Sequence, residues 1–170
     1  MILVADTSGL VSAANTADAR RRLLPSLLDG YDLTVPQQVI DELESIAEYD
    51  DAHGTAAEAV LDTDTRLTIE SVALDSTFPL DDGENAAVQL ANRLDAAFFY
   101  CDEYAQLSLI HASLSGARLV TTPRLLKAFV VRGEYSNDTA MEMLTEISAV
   151  RSWSSNAYVQ QARQLFEERE

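Results

Sequence analysis

Acidic residues follow apolar stretches of this sequence at points where a folded chain could bring them together. Asp6 follows the apolar run ILVA, and both Asp102 and Glu103 follow the run AAFFYC. No Arg or Lys lies near Asp6 or Asp102 in the sequence to pair with them. Carboxylates at close quarters repel one another unless a cation neutralises them, and oxygen ligands of this kind suit Mg²⁺ or Mn²⁺. Asp6 and Asp102 are therefore candidate ligands of a divalent metal.

Each acid also has an alternative explanation that the residues alone leave open. Asp6 stands where a helix N-cap is favoured, directly after a strand. Asp81 and Asp82 fit the start of a helix, with Glu84 joining them in its acidic first turn. Glu42, in the segment VIDELES, fits the solvated face of a helix in a chain this acidic.

Alternating strands and helices are predicted to position these acids. Short apolar or β-branched runs predict strands at 2–5, 32–35, 66–72, 96–101 and 117–122, the third of them at a sheet edge. This alternation predicts an α/β fold of three layers, α/β/α, with a central, mostly parallel sheet of about four to five strands. Neighbouring parallel strands lie about 5 Å apart, and ligands bind beyond their carboxyl ends. Asp6, Asp102 and Thr121 or Thr122 are therefore expected to converge.

Helical periodicity accounts for the remainder of the chain. It predicts a helix around 17–28 that Pro25 kinks or divides, a helix from 102 to 116, and three further helices at 123–132, 136–150 and 154–169. We expect residues 1–135 to form the α/β domain and residues 136–170 to be a helical extension of the same domain. The apolar stripe Met141, Leu144, Ile147 and Val150 fits either a surface for a second copy or ordinary core.

The charge balance bears on partners and habitat. The formal net charge is −16, from 28 acids and 12 bases, which by itself argues against nucleic acid because phosphate binding requires Lys and Arg. Eleven of the bases are Arg and one is Lys127. Abundant acid with almost no Lys is typical of a halophilic protein in a highly salted cytoplasm, where self-repulsion is screened. On this interpretation the net charge reflects adaptation to high salt and does not exclude an RNA partner.

The cysteine count and the lack of a long apolar segment also favour a cytoplasmic protein. One cysteine, Cys101, allows no internal disulfide and fits a reducing cytoplasm. One Cys and two His are too few for the usual four-ligand zinc site. No run of 18 apolar residues and no signal-peptide pattern occurs, so we predict a cytoplasmic protein without a membrane span.

Taken in order, these motifs resemble the PIN domain family over about residues 1–135. The matching positions are Asp6, Thr7 and Ser8; Val35, Pro36, Val39, Glu42 and Leu43; Gly83, Glu84 and Ala87; Asp102 and Glu103; and Thr121 and Thr122. The resemblance implies a metal-dependent endoribonuclease that hydrolyses RNA. It would make Asp6, Glu42, Glu84 and Asp102 the catalytic, metal-holding carboxylates for Mg²⁺ or Mn²⁺. It also implies a relation to VapC-type toxins of toxin–antitoxin pairs, with an antitoxin protein or a second copy (a homodimer) as partner.

The resemblance leaves the RNA contacts and the activity open. Hydroxyls of Ser8, Thr121 and Thr122 are candidates for positioning substrate. The segment after Asp102 lacks the Arg or Lys often found there in PIN toxins, and the remaining basic candidates are Arg118, Arg124, Lys127 and Arg132. The alternative hypothesis is a PIN-like module that binds nucleic acid or protein with little or no nuclease activity.

Overall fold

Five parallel strands form a single sheet in the computed structural model, which describes residues 1–16 and 22–167. The strands are β1 (Ile2–Ala5), β2 (Asp32–Pro36), β3 (Thr68–Glu70), β4 (Phe98–Tyr100) and β5 (Arg118–Val120). Their order is β3-β2-β1-β4-β5, which places β3 at an edge as predicted. The chain runs outward from β1 in both directions, so β1 marks the switch point at which parallel sheets bind ligands.

Helices cover both faces of this sheet. They are α1 (Thr7–Ala14), α2 (Leu23–Gly30), α3 (Gln37–Ala47), α4 (Ala52–Leu61), α5 (Asp82–Arg93), α6 (Leu107–Ser113), α7 (Thr122–Val131), α8 (Asn137–Val150) and α9 (Ala157–Glu167). Successive strand residues point to opposite faces, and β1 divides accordingly. Leu3 and Ala5 lie in one buried apolar cluster, whereas Val4 lies in a second. The three-layer α/β/α prediction is confirmed.

The C-terminal helices pack onto the same core as the sheet. Leu144, Ile147 and Val159 are fully buried and belong to the cluster that contains Leu3. The centre of the apolar stripe on α8 is therefore internal core and is not available to a second copy. No helix in the described ranges is both long and apolar enough to cross a membrane.

Two predicted helices begin later than the periodicity indicated. α2 begins at Leu23, with Pro25 in its first turn, where a missing N–H costs little; the earlier part of that prediction, 17–21, lies outside the described residues. α6 begins at Leu107 and not at Asp102, because the preceding residues form turns in which Tyr104 N–H donates to the Asp102 carbonyl at 3.0 Å. These turns decide which way Glu103 and Tyr104 face.

Candidate active site

A cavity of about 230 Å³ opens beyond the carboxyl end of β1, and we call it the acidic cavity. Its walls are Asp6, Thr7, Ser8, Val11, Glu42, Ile46, His53, Asp81, Glu84, Glu103 and Arg151. Three of the four acids predicted from the sequence are among them, and each comes from a different element. The cavity lies at the switch point of the sheet, where the topology favours a ligand.

Asp6 both ends β1 and caps α1. Its Oδ1 accepts a hydrogen bond from Gly9 N–H at 2.8 Å, and its carboxylate accepts from the Ser8 hydroxyl at 2.9 Å. The carboxyl is only 2 % exposed. Burial raises the pKa of Asp6 to about 6, and the nearby charge of Asp102 adds to the shift. Capping and metal binding were alternatives in the sequence, and the structure confirms the cap while leaving the same carboxylate on the cavity wall.

Glu42 reaches the cavity from α3, held between α1 and α5. Its Oε2 accepts a hydrogen bond from the Thr7 hydroxyl. Its carboxylate also lies against the backbone of Gly83, where a Cβ would stand 2.2 Å from Oε1. Burial raises the pKa of Glu42, and the charges of Asp81 and Asp82 raise it further. Glu42 is therefore no freely solvated surface acid.

Glu84 extends from the first turn of α5, which Asp81 caps by accepting from Glu84 N–H at 2.8 Å. The residue is 7 % exposed, and its Oε2 is buried with no hydrogen-bond partner among the described residues. Burial raises the pKa of Glu84 to about 7, and the charges of Asp81 and Asp6 contribute. An unpaired, buried carboxylate oxygen is costly unless a proton or a cation satisfies it.

Asp102 lies beside the acidic cavity and does not line it. Its two oxygens accept from Thr122 N–H at 2.8 Å and from the Thr122 hydroxyl at 2.6 Å. Its own N–H donates to the Ser8 hydroxyl oxygen at 2.9 Å, which ties it to Asp6 through Ser8. Thr122 is fully buried and Thr121 lines a different cavity. Of the three predicted substrate-positioning hydroxyls, Ser8 and Thr122 are thus engaged in holding the two aspartates.

Several polar residues of the cavity wall were assigned no site role from the sequence, among them Glu103, His53 and Arg151. Glu103 follows Asp102 and was visible as an acid at the tip of β4. His53 comes from α4, and Arg151 comes from the end of α8, almost 150 residues after Asp6. Arg151 Cζ lies 5.6 Å from the Trp153 ring centroid, and its Nε is buried without a partner among the described residues. No local signal marks Arg151, because only the packing of α8 brings it to the acids.

The donor chemistry of the acidic cavity fits a hard divalent cation. Carboxylate oxygens are the preferred ligands of Mg²⁺ and Mn²⁺, and the unpaired Glu84 Oε2 offers one such ligand. Within the described ranges, no three His, Cys, Asp or Glu side chains stand close enough together to hold a metal ion as they are oriented. A cation held here by one or two of these carboxylates would complete its coordination with water, as Mg²⁺ commonly does.

The metal-free protein is expected to lose stability as pH rises from about 4 to about 7. The folded-state pKa values of Asp6 and Glu84 are raised to about 6 and about 7, so the folded protein holds these protons to higher pH than the unfolded chain does. One pKa unit corresponds to about 1.4 kcal/mol, so ionising Asp6 lowers the free energy of unfolding by up to about 3 kcal/mol. Urea unfolding in EDTA at fixed salt from pH 4 to 8 measures the decline. If the stability of Asp6→Asn declines with pH as much as that of the unchanged protein, ionisation of Asp6 does not cause the decline.

Comparison with known proteins assigns the chain to a family. Residues 2–168 match the model of DUF3368, a family described as a PIN domain. The search of curated proteins finds no match. The family match covers nearly the whole chain, including the elements that carry Asp6, Glu42 and Glu84. The chain belongs to the PIN domain family.

Proposed function

We propose that the chain is a metal-dependent endoribonuclease that hydrolyses phosphodiester bonds in RNA with Mg²⁺ or Mn²⁺. The observation that supports this proposal is the meeting of Asp6, Glu42 and Glu84, from β1, α3 and α5, on one cavity wall. These three would hold the metal. Asp102, the fourth acid of the set, adds its charge from beside Asp6. PIN domains are generally nucleases of this metal dependence, so the family and the cavity support the same activity.

The residues of the acidic cavity would have different roles in such a reaction. A bound divalent cation supplies water activation at neutral pH and neutralises charge on the scissile phosphate. Ser8 donates to Asp6 and thereby orients that carboxylate. Thr7 and the backbone of Gly83 hold Glu42 toward the same space. Arg151, the one arginine on the described cavity wall, would bind a phosphate oxygen of the RNA.

A second candidate function is a PIN-like binding module with little or no nuclease activity. The absence of a closed metal-holding group among the described side chains favours it. The two candidates differ in one measurable property, which is phosphodiester hydrolysis that depends on a divalent metal.

A toxin role in a salt-rich cytoplasm extends the nuclease proposal. The partners would be an antitoxin protein and a second copy of the chain, and the −16 charge would reflect the habitat. A small antitoxin-like gene directly upstream, and growth arrest on expression of the chain that co-expression of that gene relieves, would support the toxin role. Growth unaffected by expression of an active nuclease would contradict it.

The decisive experiment is cleavage of total RNA at molar salt with Mg²⁺, with Mn²⁺ and with EDTA. We expect fragments with either metal and intact RNA in EDTA. Intact RNA under all three conditions, from protein shown to be folded by circular dichroism, would leave the binding module as the better account.

Gly83→Ala is expected to weaken metal binding without unfolding the protein. The added Cβ would stand 2.2 Å from Glu42 Oε1, so the Glu42 carboxylate must move away from its position. Gly83 is the second residue of α5, and Ala has a higher helix propensity than Gly, so α5 itself tolerates the change. Displacing a ligand in this way costs about tenfold in metal affinity. Calorimetric titration with Mn²⁺ measures it.

Gly116→Ala is the matched control for this substitution. A Cβ at Gly116 has no neighbour within 4 Å, and the residue does not lie at positive φ. Its Mn²⁺ affinity should equal that of the unchanged protein. Equal affinities in both variants would show that Glu42 does not hold the metal.

A further inference from the structure

A second and larger cavity, of about 540 Å³, lies between α6, β5, α7 and α9, and we call it the basic cavity. Its charged lining comes from Arg118 and Arg124, with His111 beside them. No acidic side chain is among the described residues of its wall, although the chain carries 28 acids. Neither arginine forms an ion pair with a described residue. The described lining of this cavity is therefore positively charged although the protein is strongly negative, and it favours an anionic ligand.

Aromatic rings add a second kind of recognition to the same cavity. Tyr104 and Tyr158 both line it, with ring centroids 5.8 Å apart and ring planes 23° from parallel. Tyr158 is 57 % exposed, so its ring is accessible to a further planar group. Base stacking on aromatic side chains is a general means of holding single-stranded nucleic acid, and arginine binds its phosphates. Gln161 adds an amide that can both donate to and accept from a base edge.

Neighbouring residues at the tip of β4 line the basic cavity and the acidic cavity. Glu103 lines the acidic cavity and its neighbour Tyr104 lines the basic one. At the tip of β5, Thr121 lines the basic cavity while Thr122 binds the Asp102 carboxylate. A volume of this size is within the range of small-ligand pockets. A single strand of nucleic acid bound at the acids would thus reach the tyrosines and arginines by extending past the tip of β4.

We propose that the basic cavity binds a nucleotide of single-stranded RNA, with its base stacked on Tyr158 and a phosphate held by Arg118 and Arg124. This inference deepens the proposed function, because the nucleotide would belong to the RNA whose phosphodiester is cut at the acids. The binding itself needs neither the metal nor the cut.

The test is binding of a fluorescein-labelled hexaribonucleotide in EDTA, titrated over a range of KCl in which the protein stays folded. Arg118→Gln and Arg124→Gln should each weaken binding. Each should also make the negative slope of log K, where K is the association constant for RNA, against log salt concentration shallower by about 0.7. This is the change for one lost phosphate contact on a single strand. Tyr158→Leu should weaken binding about tenfold with the slope unchanged, because stacking releases no counterions.

Two matched controls separate these effects from a general loss of charge or ring area. Arg66→Gln removes an exposed arginine paired with Asp29 near the far edge of the sheet, and Tyr49→Leu removes a tyrosine that is 66 % exposed. Both should bind RNA as the unchanged protein does. No binding by the unchanged protein, or affinities in all three cavity variants equal to those of the controls, would overturn the proposal.

The same samples with Mn²⁺ distinguish this inference from the proposed nuclease activity. RNA that is bound with the expected variant pattern but never cut would contradict the nuclease and support the nucleotide site. RNA that is cut equally well by the unchanged protein and all three cavity variants, with equal affinity, would support the nuclease and refute the nucleotide site.

Discussion

We expect Asp6→Asn and Glu84→Gln each to remove most of the proposed metal-dependent RNA cleavage while leaving the metal-free protein folded. Both carboxylates line the acidic cavity, and both have raised pKa values chiefly because burial disfavours their charge. Replacing one ligand costs more than disturbing its surroundings, so we expect cleavage and Mn²⁺ affinity to fall by at least about 100-fold. Cleavage rates and thermal melts with and without Mn²⁺ measure both effects.

The metal-free stability of these variants is the more diagnostic readout. Asn at position 6 keeps an oxygen to accept from Gly9 N–H, so the cap on α1 survives, and the cost of a buried charge disappears. Above pH 7 in EDTA, Asp6→Asn should therefore be as stable as the unchanged protein or more so. If Asp6 served only as a helix cap, Asp6→Asn would not change the Mn²⁺-induced rise in melting temperature.

Asp50→Asn is the control for both substitutions. Asp50 is exposed and follows α3 outside the cavity, so its removal changes the net charge equally without touching the site. It should keep both cleavage and the Mn²⁺-induced rise in melting temperature. If Asp6→Asn keeps that rise as well, Asp6 is a helix cap and the metal lies elsewhere.

The second large effect we expect is a rise in stability with salt into the molar range. The chain carries −16 formal charges, and the ion pairs among the described residues are few and exposed, such as Arg93 with Glu70 at 3.0 Å. Screening shortens the Debye length to about 3 Å at 1 M and removes most surface repulsion. We expect the melting temperature to rise by about 10 °C between 0.1 and 2 M KCl, or about 3 kcal/mol for a domain of this size.

A variant with fewer surface acids tests whether charge screening causes this rise. Glu44, Glu48 and Asp50 are exposed on and after α3, and together Glu44→Gln, Glu48→Gln and Asp50→Asn remove three negative charges. The salt-induced rise in melting temperature should be smaller in this variant than in the unchanged protein. Maximal stability in dilute buffer without divalent ions would refute the halophilic interpretation and restore the charge as an objection to RNA binding.

Most of the sheet could be predicted from the sequence because short buried strands leave a local pattern. Runs such as ILVA and AAFFYC are apolar throughout, as strands covered on both faces must be, and each ends in an acid at a strand tip. Because the carboxyl ends of parallel strands share one edge of a sheet, Asp6 and Asp102 could be named from this pattern, whereas Glu42 and Glu84, which lie on helices, were named only through the resemblance to the PIN domain family.

The ends of the helices and the burial of their apolar faces were less predictable, because contacts between distant parts of the chain determine them. Periodicity placed a helix from Asp102, yet the turns before Leu107 are held by contacts of Asp102 with Thr122, a partner 20 residues away. The stripe on α8 fitted either an interface or core, and only the packing of α7 and α9 shows that Leu144 is internal.

The sequence by itself determined the layers of the fold and the acids at the strand tips, since apolar period and strand-end chemistry are local properties. Only the tertiary structure decided which groups face which cavity. Glu103 and Tyr104 are neighbours in the chain but line different cavities, because a turn directs their side chains apart. Arg151 meets the acids only because α8 folds back across the domain. Contacts between residues distant in the chain depend on how whole elements pack, and no local pattern encodes that packing.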